Sequence, residues 1–204
     1  MHRVLSGYVE RGELAGLVAL VSRQDEVHVE TLGTLAFDRP LPMKHDTIFR
    51  IASLTKPIAA VAAMILVEEC KLRLDESIEP WLPELANRRV LKSVSAQLDE
   101  TVPALRPITV RDLLTYRMGF GSVMAPPATY PIQNLIREYR IGGDRPMLPS
   151  QQPGTDEWLS KLGSLPLLAQ PGERWMYHVS GDVLGALVAR VSGKSLGAFM
   201  RERI

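Results

Sequence analysis

Ser53 and Lys56 are the two residues whose type and spacing point most directly to chemistry. They lie just before Pro57, which is followed by an apolar run at residues 58–67. This run is too long and too rich in alanine for a strand, so it predicts a buried helix. Proline is tolerated only in a first helical turn, so Ser53 and Lys56 are expected at the helix N-terminus, on one face. A hydroxyl, an amine that can deprotonate it and unpaired first-turn N–H groups are the parts of a serine–lysine acyl-transfer site.

A serine three residues before a lysine is a weak signal by itself. In the alternative interpretation, Ser53 is an ordinary helix N-cap and Lys56 is a solvated side chain of the first turn. The rest of the chain has to decide between the two interpretations.

Composition excludes several classes of function. The chain has 204 residues, of which 46% are hydrophobic and 23% charged, which is typical of a globular protein and not of a disordered one. The formal net charge is +1 and there is no basic run, so no nucleic-acid partner is expected. Cys70 is the only cysteine and the four histidines lack ligand spacing, so we expect no disulfide, metal or cofactor. With no signal-like N-terminus and no apolar run of membrane length, we expect a cytoplasmic protein without a membrane partner.

The elements that would position Ser53 follow from periodicity and turn residues. Before residue 106 the sequence predicts a helix at 3–11, a β-hairpin at 17–22 and 27–32, a loop at 33–43, an extended segment at 47–51, short turns with proline breaks at 72–85, and a polar, exposed segment at 90–105. After it, the pattern predicts a helix capped by Thr109 with Asp112 at its third position, loops at 118–131 and 142–154 around a helix at 132–140, and helices at 155–161, from 180 or 181 to 192, and from Ser195 to 203.

Tyr177 and His178 lie just before the helix that is expected to start at residue 180 or 181. Taken alone, Tyr177 is typical of a half-buried aromatic residue with a satisfied hydroxyl. A lone histidine such as His178 is more often structural than catalytic.

Three stretches together resemble motifs of the serine β-lactamase-like hydrolase family, which holds class C β-lactamases, D-alanyl-D-alanine peptidases and family VIII carboxylesterases. The stretches are Ser53-Leu54-Thr55-Lys56-Pro57, Ile108-Thr109-Val110-Arg111-Asp112-Leu113-Leu114-Thr115 with Gly119, and Pro171-Gly172-Glu173-Arg174-Trp175-Met176-Tyr177 with Asp182-Val183-Leu184-Gly185. The resemblance extends over residues 18–204 and keeps the order of the family's motifs.

The resemblance implies a fold and a set of site residues. The fold class would be α/β (α+β), of the serine β-lactamase/penicillin-binding-protein type. Ser53 would be the acylated nucleophile and Lys56 the lysine that helps to deprotonate it. Tyr177 would relay protons to the leaving group and then activate water, as a phenol with a lowered pKa near Lys56 could. The residues expected to contact substrate are Val179, Trp175, Tyr116 and Gly119.

Two departures from the family pattern bear on the substrate. Val179 occupies the position of the asparagine in the Tyr-x-Asn motif of the penicillin-recognising members, and valine cannot hydrogen-bond the acylamido group. The segment matching His-Thr-Ser-Gly reads Tyr116-Arg117-Met118-Gly119. Val179 favours a simple ester over a β-lactam, and hence a carboxylesterase over a β-lactamase or D-alanyl-D-alanine peptidase. The altered segment is expected to reshape one wall of the cleft. The expected partner is a small-molecule ester or amide substrate.

A third family motif, Lys-Thr-Gly or His-x-Gly on a strand, has no match in the 27 residues after Tyr177. We therefore expect a single truncated domain, with an N-terminal helix and hairpin at 1–52, a mostly helical lobe at 53–175 and the second-motif segment at 176–204. The antiparallel sheet would be incomplete at its C-terminal side, which also predicts a homo-oligomer formed through that sheet. An inert relic or a binding module is the alternative from another functional class.

Overall fold

The computed structural model describes residues 1–142 and 152–204, in which the strands come before residue 104 and most of the helices come after it. The helices of this part are α1 (His2–Glu10), α2 (Thr55–Glu68), α3 (Val110–Leu114), α4 (Pro131–Tyr139), α5 (Thr155–Ser164), α6 (Val179–Ser192) and α7 (Leu196–Arg203). The strands are β1 (Gly16–Arg23), β2 (Glu26–Ala36), β3 (Arg39–Pro42), β4 (Arg89–Leu91) and β5 (Thr101–Pro103). The predicted loop at 142–154 lies mostly outside the described residues.

The chain divides into two compact units, Met1–Ala52 and Ser53–Ile204, and the predicted single-domain organisation stays a prediction. In the first unit, β1, β2 and β3 form an antiparallel sheet in that order, with α1 packed on β2. The hairpin at 17–32 is confirmed, because β1 and β2 pair from Arg23 opposite Glu26 through Gly16 opposite Gly33. Hydrogen bonds of His2 and His28 with Glu30, at 2.9 and 3.0 Å, lower the pKa of that carboxyl.

The predicted loop at 33–43 is wrong. β2 continues to Ala36, and β3 then pairs with it through Ala36 opposite Arg39 and Thr34 opposite Pro42. The prolines of this segment hid the strand, yet a proline is tolerated on an edge strand, where its missing N–H breaks no interior ladder. The segment at 47–51 carries no strand.

The second unit is built around α6, which contacts α2, α3 and α7. α6 contributes a row of buried apolar side chains, among them Val183, Leu187 and Val188, because it is apolar on nearly all sides. It ends at Gly193, whose φ of 68° is the left-handed C-terminal conformation expected of a glycine. Ser195 caps α7 by accepting a hydrogen bond from the Ala198 N–H, as predicted.

The prediction that residues 90–105 are polar and exposed is wrong at the N-terminal end of this segment. β4 and β5 form a two-stranded antiparallel ribbon, and Val90 and Leu91 on β4 are buried. Two further hydrogen bonds attach β4 to Leu167, whose carbonyl accepts from the Leu91 N–H and whose N–H donates to the Arg89 carbonyl. The prediction missed the burial of Val90 and Leu91 because most residues between the two strands are polar.

Arg88 ties the same ribbon to the end of α5. Its guanidinium is buried and donates to the carbonyls of Leu162, Gly163 and Leu165. These carbonyls lie at and just after the helix C-terminus, where they have no partner within the helix. Burial lowers the pKa of Arg88 to about 10.

Within the described residues, no single helix is long and apolar enough to cross a membrane, and only the bent pair α6 and α7, at 74°, meets such a test by length and composition.

Candidate active site

Ser53 lies in a single turn of 3₁₀ helix, Ala52–Leu54, that leads directly into α2. Ala52, the residue before it, has a φ of 44°, which is uncommon for a residue with a side chain. Pro57 is the third residue of α2, so the prediction that this proline lies in the first helical turn is confirmed. The start of α2 therefore presents the Ser53 side chain at the surface, beside first-turn N–H groups.

Two polar groups converge on the Ser53 hydroxyl. The Lys56 amine lies 2.8 Å from Ser53 Oγ and donates a hydrogen bond to it. The Tyr177 hydroxyl lies 2.8 Å from the same oxygen, although it is 124 residues away in the sequence. The structure thus brings together Ser53, Lys56 and Tyr177, while their catalytic roles stay a prediction.

The surroundings of Tyr177 favour its ionised form. Hydrogen bonds first from Ser53 and then from Lys56 lower the pKa of the Tyr177 phenol, against smaller opposing effects of burial and of the Asp182 carboxylate. The Lys56 amine also lies 4.8 Å from the centre of the Tyr177 ring, within the range of a cation–π interaction. Tyr177 can therefore give up and regain a proton at lower pH than an ordinary tyrosine.

Backbone hydrogen bonds hold the segment that carries Tyr177. The Ser122 N–H donates to the Tyr177 carbonyl, and the Met176 N–H donates to the Tyr116 carbonyl over 2.8 Å. Gly121 allows the close approach, since a Cβ there would lie 2.5 Å from the Tyr177 carbonyl oxygen. The position of Tyr177 is thus set by the residues that follow α3.

α3 is fixed at its start by a capping box. The Thr109 hydroxyl accepts from the Asp112 N–H, and the Asp112 carboxylate accepts from the Thr109 N–H, as predicted. The same carboxylate receives two hydrogen bonds from Arg106, at 2.6 and 2.8 Å. Burial alone would raise the pKa of Asp112, but the bonds from Arg106 and Thr109 outweigh it and hold that pKa below its usual value.

Tyr116 follows α3 with a φ of 58° and lies beside Tyr177, with 6.3 Å between ring centres. Trp175 completes a group of three rings, 6.5 Å from Tyr116 and 6.1 Å from Tyr177. Burial raises the pKa of the Tyr116 phenol, and the nearby Asp182 and Tyr177 raise it further. Tyr116 and Trp175, two of the predicted substrate contacts, therefore lie beside Tyr177.

The other two predicted substrate contacts lie in the interior. Val179 is the first residue of α6 and is buried. Gly119 is also buried, with a φ of 91°, and its carbonyl accepts from the N–H groups of Leu168 and Ala169. A Cβ at Gly119 would lie 2.4 Å from the Ala169 carbonyl oxygen, so the structure gives this glycine a packing role. The assignment of both residues to the substrate stays a prediction.

Sequence reasoning missed two residues that shape the site. A Cβ at Gly181, in the first turn of α6, would lie 2.7 Å from the Tyr116 hydroxyl and 3.6 Å from the Lys56 side chain. The Asp182 carboxylate disfavours the ionised form of both tyrosines. Asp182 belongs to the third motif stretch, but no local pattern gives either residue a place in the site, because the groups that they approach include residues of α2 and of the end of α3.

His178 lies against the site without a contact to Ser53 among the described hydrogen bonds. Its ring packs edge-on against Tyr177 with 5.2 Å between ring centres, and its Nδ1 lies 3.5 Å from the Asp182 carboxylate. Ser53 and Tyr177 are both exposed, so the site of this chain is open to water. Among the described residues, no cluster of histidine, cysteine or acidic side chains could hold a metal ion.

Comparison with known proteins assigns the family. The beta-lactamase family model matches residues 1–204, so the chain belongs to that family. The protein Rv1367c of Mycobacterium tuberculosis is 39% identical over 96% of this chain and 46% of its own length. The esterase EstB of Burkholderia gladioli is 36% identical over 91% of this chain and 43% of its own length. The chain spans about half the length of the curated relatives it matches.

Solved structures agree on the fold. EstCE1, described as a hydrolase with promiscuous acyltransferase activity, matches the whole chain and 49% of its own chain, with 27% identity and a TM-score of 0.81. The octameric penicillin-binding protein homologue of Pyrococcus abyssi matches the whole chain and 41% of its own, with 26% identity and a TM-score of 0.68. The predicted family and the predicted α/β fold of the β-lactamase and penicillin-binding-protein type are therefore confirmed, and similar proteins include an oligomeric one.

Proposed function

We propose that this chain carries the acylation centre of a serine hydrolase that acts on carboxylic esters. The observation that carries the proposal is the placement of the Lys56 amine and the Tyr177 hydroxyl, each 2.8 Å from Ser53 Oγ. A nucleophile within hydrogen-bond distance of two proton-transfer groups is the arrangement that covalent catalysis requires. The names of similar proteins, the esterase EstB and a lovastatin esterase of Penicillium rubens, support an ester as substrate.

In the acylation step, Ser53 Oγ attacks the ester carbonyl while Lys56 takes the serine proton. The Ser53 N–H, at the start of α2, is one donor to the oxyanion that forms. As the bond to the leaving oxygen breaks, Tyr177 donates its phenolic proton to that oxygen, and an alcohol departs. Lys56 then returns its proton to the Tyr177 oxygen, so both groups regain their starting state.

In the second step, water attacks the acyl-Ser53 carbonyl. The water proton passes to the pair formed by Lys56 and Tyr177, and the pair returns one proton to Ser53 Oγ as the acyl–oxygen bond breaks. The products are a carboxylic acid and free Ser53. The exposure of Ser53 gives water direct access to the acyl group.

Val179 weighs against a β-lactam or a cell-wall peptide as substrate. The position is apolar and buried, so it offers no side-chain hydrogen bond to an acylamido group. Turnover of the cephalosporin nitrocefin at a higher kcat/KM than that of 4-nitrophenyl acetate would replace the ester proposal by the β-lactamase alternative.

The first test is the intact mass of the protein after incubation with a fluorophosphonate, which modifies activated serines. We expect a single adduct on the unchanged chain, none on Ser53→Ala, and a rate lower by about 100-fold or more on Lys56→Ala. Ser160→Ala is the matched control, since Ser160 is an exposed serine on α5, and it should keep the adduct. A chain that is folded by circular dichroism and forms no adduct would support the inert alternative.

We further propose a cytoplasmic location and a homo-oligomer formed through the sheet of residues 1–52. The free, exposed thiol of Cys70 suits a reducing compartment, and the octameric structure of a similar protein supports assembly. Cell fractionation and light scattering of the purified chain test the two proposals separately.

A further inference from the structure

Three aromatic side chains, Tyr116, Trp175 and Tyr177, form a continuous group beside Ser53, which we call the aromatic patch. Their ring centres are 6.1 to 6.5 Å apart in every pair. The planes of each pair lie within 34° of parallel. The catalytic steps above use only the hydroxyl of Tyr177, so the rings themselves have no assigned role.

The three rings have similar orientations. Tyr177 is stacked with both Tyr116 and Trp175, and the planes of Tyr116 and Trp175 are tilted by 34°. Rings that form a box around a ligand would stand at steep angles to one another, and these do not. The patch therefore offers aromatic faces of similar orientation, which suit a flat ligand.

The patch is exposed and held in place. Trp175 is 63% exposed and Tyr177 is 39% exposed, so ligand atoms can reach both rings. The hydrogen bond from the Met176 N–H to the Tyr116 carbonyl joins the two backbone segments that carry the rings. Large aromatic residues exposed together next to reactive groups indicate a ligand contact.

Tyr177 connects the patch to the reaction. In the proposed function, the Tyr177 hydroxyl donates to the leaving oxygen, so the group attached to that oxygen departs along the side of the site that Tyr177 occupies. We infer that the aromatic patch binds the alcohol portion of the substrate, and that the preferred alcohol carries a neutral, planar aromatic ring. This inference rests on the proposed function and names its substrate class.

The local charges disfavour the other ligand that aromatic groups recognise, an organic cation. The Lys56 amine already lies 4.8 Å from the centre of the Tyr177 ring, so the position that an organic cation would take over that ring is already occupied. The Asp182 side chain is 56% exposed, so water screens its attraction for a cation at the patch. A neutral aromatic ring needs neither a cation position over Tyr177 nor the charge of Asp182 in order to bind.

Binding is tested without any turnover by ¹⁹F NMR titration of the chain with 4-fluorobenzyl alcohol and, as a non-planar match, trans-4-fluorocyclohexylmethanol. We expect Trp175→Ala to weaken binding of the aromatic alcohol by about three- to tenfold, since one aromatic contact is lost. Trp175→Phe, which keeps an aromatic ring at this position, should retain most of the affinity for the aromatic alcohol. The control Trp81→Ala removes an exposed tryptophan outside the patch and should change nothing. Equal binding of both alcohols, or displacement of the aromatic alcohol by choline, overturns the inference.

Acylation of Ser53 tests which side of the substrate the patch contacts. Benzyl acetate should acylate Ser53 faster than cyclohexylmethyl acetate. Trp175→Ala should remove this difference by raising the KM for benzyl acetate. Methyl phenylacetate and methyl cyclohexylacetate carry the ring on the acyl side, and their relative rates should not respond to Trp175. A preference on the acyl side, or none on either, overturns the inference while the proposed function stands. Aromatic binding by a chain that no ester or fluorophosphonate modifies refutes the proposed function, and with it the leaving-group role of the patch.

Discussion

Removing the Tyr177 hydroxyl separates two roles that its position allows. In Tyr177→Phe the ring can stay beside Tyr116 and Trp175, while Ser53 Oγ loses a partner 2.8 Å away. A phenol that protonates the leaving oxygen matters most for a basic alcohol, because a nitrophenol departs readily as an anion. The loss of acylation rate should therefore grow with the basicity of the leaving alcohol.

The open site limits the magnitude of this loss. Positioned general acids contribute about 10²- to 10⁴-fold to a rate. Because Ser53 and Tyr177 are exposed, a water molecule can replace the phenol as a donor, so we expect the lower end of that range. Acylation by an ethyl ester should slow by about 100-fold, equivalent to about 2.7 kcal/mol of barrier, and acylation by a 4-nitrophenyl ester of the same acid by about threefold.

The assay is the growth of the acyl-protein mass with time, which reports acylation independently of hydrolysis. Tyr8→Phe is the matched control, since Tyr8 is an exposed tyrosine on α1 and the substitution should leave both rates unchanged. An equal loss for the two esters would refute the leaving-group role and assign Tyr177 to the activation of Ser53.

The same role has a consequence for pH. A general acid works in its protonated form, and hydrogen bonds from Ser53 and Lys56 lower the pKa of Tyr177. Acylation by the ethyl ester should therefore decline as the pH rises through a value below that of an ordinary phenol. The decline should be absent in Tyr177→Phe.

Four further substitutions, one of them a control, test the residues around the site. Asp112→Asn weakens the α3 cap and should lower the free energy of unfolding by about 1–2 kcal/mol at neutral pH. Because the folded-state pKa of Asp112 is lowered, the stabilisation by this carboxylate is lost as the pH falls through that pKa. The melting temperature of the variant should therefore depend less on acidic pH than that of the unchanged chain. Gly181→Ala places a Cβ 2.7 Å from the Tyr116 hydroxyl and should lower the free energy of unfolding by about 1–3 kcal/mol. It should also slow fluorophosphonate labelling of Ser53. The control is Gly197→Ala, at an exposed position of α7 where the added Cβ meets no other atom. Thermal unfolding should show that it raises the free energy of unfolding by about 0.5–1 kcal/mol. His178→Ala should alter labelling by less than about threefold, and a larger loss would make it part of the proton-transfer group.

The features that the sequence predicted correctly depend on interactions within a few residues. Pro57 restricts the start of α2, and the Thr109–Asp112 pair closes a capping box within one turn. Gly193 supplies the left-handed end of α6. The Ser53–Lys56 contact belongs to the same class, because one helical turn brings residues three apart together.

The errors arose where pairing partners are distant or unusual. β3 was hidden by its prolines, and β4 was hidden by the polar segment that separates it from β5. Strand pairing is decided by a partner elsewhere in the chain, so the local composition of residues 90–105 could not show that Val90 and Leu91 are buried.

The sequence by itself determined the helix that follows Ser53, the caps and, through the order of three motifs, the family. Only the tertiary structure placed Tyr177 at 2.8 Å from Ser53, across 124 residues, and brought Trp175 and Tyr116 together with it in the aromatic patch. The physical reason is that these contacts depend on how the end of α3 meets the segment before α6. Their hydrogen bonds and close glycine contacts join residues that no helical or strand period relates.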